Sequence, residues 1–166
     1  MRGSYTLSQF PYLGCPLVFR RREDMKYKLT DETIEHNGRT LYRIQALKDF
    51  GDIKAGDLGG YVESERNLSQ NGNCWVADEA WVYGKAKVFS NARVFDNARV
   101  SGNAWVFDTA QIYGDAWVYG NAWVSDNAWV YGNARVFDNA RVSGNAWVFD
   151  TAQIYGDAEF KNGYIE

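Results

Sequence analysis

The chain has 166 residues, 46% hydrophobic and 16% aromatic, a size for one domain and too apolar for a disordered segment. Eighteen Lys and Arg against 21 Asp and Glu give a net charge of −3, which excludes a protein held to nucleic acid mainly by phosphate neutralisation. Two cysteines cannot build a disulfide framework, so a reducing, cytoplasmic setting is expected, and no apolar run approaches the roughly 20 residues of a membrane span.

Residues 1–24 stand apart in composition. They hold both prolines (Pro11, Pro16), Cys15 and the run Arg20-Arg21-Arg22. The apolar stretch from Phe10 to Phe19 has the length of a signal-peptide core, but the basic run follows it instead of preceding it. Met1-Arg2-Gly3-Ser4 looks like an expression-vector start, so the segment is expected to be a non-native or disordered leader, with Met25 as native initiator. From residue 25 onward, 14 Lys and Arg face 19 Asp and Glu, a net −5.

Residues 25–61 are expected to form a small β cap. The stretch from Thr33 to Ile44 reads as a hairpin across Asn37-Gly38, a pair suited to the positive φ angles of a two-residue turn.

From Cys74 the chain falls into hexads: CWVADE, AWVYGK, AKVFSN, ARVFDN and onward to AQIYGD at Ala152. The first position is Ala in every hexad after Cys74, and the third is Val or Ile until Phe160. A period of six matches no helical spacing. Strand alternation puts the small and aliphatic residues on one side, and the closing Gly, Asn and Asp tolerate the left-handed backbone of a bend. Each hexad is therefore a short strand and a corner. Three make a triangular coil, and coils stack at about 4.8 Å. The expected fold is all-β, a parallel β-helix of about five coils within residues 62–166. Leu68 and Val62, six and twelve residues before Cys74, mark its start. Such a stack pairs every strand except those at its ends, which gives the segment 25–61 its role as a cover for the first coil. Cys74 stands where alanine stands elsewhere and reads as a buried small hydrophobe, not a nucleophile.

The repeats resemble the hexapeptide-repeat left-handed parallel β-helix family, and the left hand is what that resemblance implies. Gly59-Gly60-Tyr61-Val62-Glu63-Ser64, Asn67-Leu68-Ser69-Gln70 and Trp75-Val76 resemble the N-terminal part of YdcK-like hexapeptide-repeat proteins, many of them bacterial or phage-borne. The resemblance spans about residues 25–160. It implies a transferase, as such proteins are usually described on fold grounds, and a threefold assembly.

Acyltransferases of this fold use a histidine as general base, often beside a loop that interrupts the coils. Here the single histidine, His36, falls in the predicted turn of the cap and reads as a solvated turn residue. No insertion breaks the hexads between Cys74 and Ala158, so no catalytic residue is assigned and no cofactor is expected. Zinc enzymes of the fold need three histidines and are excluded by count. Asp96, Asp108, Asp126, Asp138 and Asp150 read as corner chemistry, so no metal site is expected.

The segment from Asn91 to Ala116 recurs identically from Asn133 to Ala158, an offset of seven hexads, or two coils and one side. The copy therefore lands on a different face. A catalytic groove fixed to one face is not copied by such a step, which favours an array whose worth lies in length and surface.

All seven tryptophans occupy the slot between the small and aliphatic residues and point outward. One expected column stacks Trp81, Arg99, Trp117, Arg135 and Gln153, with the Arg99 guanidinium flat between two indoles. Trp129, Tyr131, Trp147 and Phe149 fall together on one face, and Trp105 and Trp123 on another. These six form the expected self-association surface, anchored by Trp129 and Trp147. The sequence thus reads as a non-enzymatic β-solenoid scaffold or binding module forming a homo-oligomer. It is open to a protein partner and fits neither nucleic acid nor membrane. Two alternatives stand beside it: an acyl-CoA-dependent acyltransferase, and a phage-encoded inhibitor of a host protein or nucleotide signal.

Overall fold

A computed structural model describes residues 22–166. The leader lies outside the described residues except for a short 3-10 turn at Arg22–Asp24. Strands β1 (Tyr27–His36) and β2 (Arg39–Ala46) form an antiparallel hairpin in which His36 faces Arg39 across Asn37-Gly38. Both turn residues have positive φ, 48° and 73°, as a two-residue hairpin demands. β2 pairs antiparallel with β3 (Leu58–Val62), and β3 runs parallel to Trp81–Val82. β3 is therefore both the last strand of the cap and the first of the solenoid, and the hairpin covers an edge that would otherwise stand open. A Cβ on Gly59 would sit 2.5 Å from the Val76 carbonyl oxygen, and one on Gly60 the same distance from that of Ala80. Only glycine lets β3 lie this close to the coil beneath it.

The solenoid has three parallel faces, each six rows deep among the described residues. Its aliphatic rows run Val62, Val82, Val100, Val118, Val136, Ile154 on the first face. They run Val76, Val94, Ile112, Val130, Val148, Ile165 on the second, and Leu68, Val88, Val106, Val124, Val142, Phe160 on the third. The hexad alanines and aliphatics from Cys74 to Val148 are 0–1% exposed, so alanine's small volume sets the narrow width of the prism.

The stack is one coil deeper than the five that the regular hexads suggest, because the cap's last strand opens the first coil. That coil is also longer. Leu68 pairs with Val88 and Val62 with Val82, each 20 residues on, whereas Val76 pairs with Val94, 18 on. Two extra residues enter between Leu68 and Val76. Leu68 consequently fills an aliphatic row, not the alanine row that counting back in sixes from Cys74 assigns.

The corners show why aspartate recurs there. Asp78, Asp96, Asp108, Asp126, Asp138 and Asp150 have φ of 52–59°, and several carboxylates also accept an amide from the adjacent coil. Gly114 N–H donates to Asp96 at 3.1 Å, Gly144 N–H to Asp126 at 2.9 Å and Gly156 N–H to Asp138 at 3.2 Å. Asn103, Asn121, Asn139 and Asp157 form a side-chain ladder with steps of 3.0, 3.0 and 2.9 Å. Among the described residues no helix is long and apolar enough to cross a membrane.

The cap plugs the first coil with polar groups. Tyr27 donates its hydroxyl to the Leu68 carbonyl at 2.6 Å, and burial pushes that hydroxyl well above its ordinary pKa. Buried Lys26 donates Nζ to the Cys74 carbonyl at 2.8 Å and to its Sγ at 3.2 Å. Burial raises the Cys74 thiol and Lys26 partly opposes that shift, so the thiol stays protonated and inert.

Candidate binding surfaces

Because the backbone ladder repeats at one strand spacing, outward side chains of equal slot stack ring on ring. On the second face the Trp129 and Trp147 indoles lie 5.1 Å apart and 5° from parallel, beside Tyr131 and Phe149 at 5.2 Å and 12°. The latter ladder continues through Tyr113 and Phe95 at 4.9 Å per step. On the third face Trp105 stacks on Trp123 at 5.3 Å, next to Phe89 on Phe107 at 5.0 Å. The structure thus places the six aromatics on two faces, four on the second and two on the third, as their spacing predicts. Trp147 remains 44% exposed, and Trp105 and Trp123 somewhat less.

On the first face the Arg99 guanidinium lies 4.4 Å from the Trp81 centroid and 5.1 Å from that of Trp117; Arg135 lies 5.6 Å from Trp117 on its other side. The cation of Arg141 covers Trp123 at 4.9 Å. These contacts fix long side chains that would otherwise be free in solvent.

His36 differs from the expected solvated turn residue. Its ring packs 4.9 Å from Trp81 and 5.3 Å from Tyr83 and is partly buried, because the hairpin extends the first-face sheet and carries its turn along the outward column. Its Nε2 lies 3.2 Å from the Asn37 amide. Among the described residues, no group of three or more His, Cys, Asp or Glu is arranged to hold a metal ion.

A cleft of about 930 Å³ opens at the corner between the first and third faces, lined by Arg39, Arg66, Lys85, Lys87, Glu63 and Trp105 among others. Its walls are braced. The Glu63 carboxylate accepts Arg39 Nη1 at 2.8 and 3.0 Å and the Gly84 amide at 2.6 Å. Asn67, fully buried, accepts the Ser64 amide at 2.9 Å and donates to the carbonyls of Gly84 and Ala86 at 3.1 and 2.9 Å. Sequence reasoning passed over this cleft. Its one available signal was Lys85-x-Lys87, two cations on an otherwise acidic body.

The repeats match the family described as YdcK beta solenoid repeat over residues 92–107, 110–126, 128–144 and 134–150. Within residues 92–150 the coils are therefore similar to YdcK beta solenoid repeats. A curated relative, the Escherichia coli (strain K12) protein named "Uncharacterized acetyltransferase YdcK", is 37% identical over 62 residues. That match covers 32% of this chain and 19% of the relative, so it spans about a fifth of that protein's length.

Proposed function

We propose that this chain is a non-enzymatic β-solenoid module that associates with further copies of itself through its second face. The observation that carries the reading is the stacked Trp129–Trp147 pair beside Tyr131 and Phe149 on a flat parallel sheet, with Trp147 still 44% exposed. Stacking consumes the ring faces inside the molecule and leaves a wall of ring edges, which packs against a like wall by a two-fold or cyclic arrangement. A tryptophan offers roughly 250 Å², so 44% leaves about 110 Å² on Trp147 alone. At about 25 cal/mol per Å² its burial contributes about 3 kcal/mol per protomer before the costs of association. The absence of any histidine from the coils supports the non-enzymatic part of the reading.

Sedimentation velocity tests it. Wild type is expected to sediment as a multiple of 18.9 kDa at tens of micromolar, and Trp129→Ser/Trp147→Ser as a folded β protein of lower mass. A monomeric wild type, or a double variant of unchanged mass, overturns the reading.

A second reading, an acyl-CoA-dependent acyltransferase, draws on the relative's printed name. It requires turnover with a panel of acyl-CoAs and acceptors. Turnover that survives His36→Ala and disappears when a surface groove is altered would replace the scaffold reading.

A further inference from the structure

We propose that the corner cleft bounded by Arg39, Arg66, Lys85 and Lys87 binds a small ligand carrying a chain of two or three phosphates.

Charge is the first argument. Residues 25–166 carry a net −5, yet four cations and one carboxylate, Glu63, line this cleft, a local +3. Among the described residues Arg66, Lys85 and Lys87 have no ion-pair partner, whereas Arg39 is paired with Glu63. Clustered like charges repel one another, and an anionic ligand relieves that repulsion. Glu65 lines an adjoining hollow that shares Arg66 and Lys87 with this cleft.

Construction is the second argument. The cations come from different layers: Arg39 from the hairpin, Arg66 from the first coil, and Lys85 and Lys87 from the second. The pairing of Leu68 with Val88 sets Arg66 one strand spacing from the Lys85–Lys87 segment, about 4.8 Å along the prism axis. An extended anion bearing several charges matches this spread better than a single carboxylate. The cradle is also pre-set. Glu63 ties Arg39 to the Gly84 amide, and buried Asn67 ties the turn that carries Arg66 to the carbonyls on both sides of Lys85. The backbone segments that carry these cations are tied together without a ligand, which lowers the cost of binding.

Shape is the third. A concave space of about 930 Å³ lies in the range that holds small molecules. The proposal is independent of self-association, whose anchors stand on the second face.

The test is isothermal titration of the full chain with sodium tripolyphosphate and, separately, with ATP at low salt. Micromolar binding that weakens as salt rises is expected. Lys85→Gln/Lys87→Gln should weaken it at least tenfold, with an unchanged circular dichroism spectrum. Arg141→Gln, an exposed cation at the far end of the third face, should leave it within about twofold. ATP bound at least tenfold more tightly than tripolyphosphate supports the site and identifies the source as a nucleotide; equal affinities support it with inorganic polyphosphate as ligand. No binding of either probe at millimolar concentration, or equal weakening by Arg141→Gln, overturns the proposal.

Discussion

Arg99 offers a controlled measurement of what coil stacking contributes. It lies 4.4 Å from Trp81 and 5.1 Å from Trp117, a contact on each side. Its twin in the duplicated segment, Arg141, has identical sequence neighbours but one indole, Trp123 at 4.9 Å, and an exposed pair with Glu159 at 3.5 Å. Replacing either by leucine changes the same local propensity, so any difference comes from cross-coil contacts. At about 0.5–1 kcal/mol per exposed cation–π contact, Arg99→Leu should cost about 1–2 kcal/mol and Arg141→Leu about half of that. About 0.5 M salt suppresses the contribution of the Glu159 pair. Solenoids fray from their ends, so the comparison is made with double-mutant cycles, which cancel position-dependent effects. Urea unfolding of the single and double variants with Trp81→Leu, Trp117→Leu and Trp123→Leu should give a coupling of about 0.5–1 kcal/mol for each contacting pair and none for Arg141 with Trp117. A coupling below about 0.2 kcal/mol at both Arg99 pairs would refute the claim that the stacked geometry carries energy.

Gly60→Ala should destabilise the chain by about 1–3 kcal/mol in urea unfolding, because the new Cβ meets Ala80 O at 2.5 Å and Val76 Cγ1 at 2.8 Å, neither at the end of a long flexible side chain; a change below about 0.5 kcal/mol would mean that β3 does not sit this close. Tyr27→Phe should cost about 1–3 kcal/mol by leaving the buried Leu68 carbonyl short of its donor. The raised Tyr27 pKa also means that the folded state holds this proton more tightly than the unfolded chain. The resulting stability is fully present below about pH 10, the unfolded value, and declines as pH rises above it. Urea midpoints of wild type should therefore fall above about pH 10 more steeply than those of Tyr27→Phe, and parallel curves would contradict the assignment.

The regular coils were legible because their information is local and redundant. Each hexad states the same strand and corner, so the register of one coil is confirmed by the next, and the columns of Trp81, Arg99 and Trp117 followed from simple counting. Counting failed where the period does. Two additional residues between Leu68 and Val76 changed the row that Leu68 occupies, and no hexad signal marks where an irregular corner ends. The division of the six aromatics between two faces was legible in the same way as the columns, because the 18-residue register pairs Trp129 with Trp147 and Trp105 with Trp123.

Contacts of the cap were invisible for a different reason. Lys26 reaches Cys74 across 48 positions, and Glu63 ties Gly84 to Arg39 across 21 and 24, distances over which no periodicity operates. His36 looked like a free turn residue until the hairpin was placed on the first face against Trp81 and Tyr83.

By itself the sequence determined the parallel all-β coil, its narrow alanine and valine interior and the outward direction of every tryptophan, since a period of six combined with strand alternation admits one arrangement of inside, outside and corner. The depth of the stack, the polar plug beneath the cap and the braced cationic cleft were decided only by tertiary structure. Each depends on which segments meet where the repeat is irregular, and there the chain has no repeating neighbour to dictate its register.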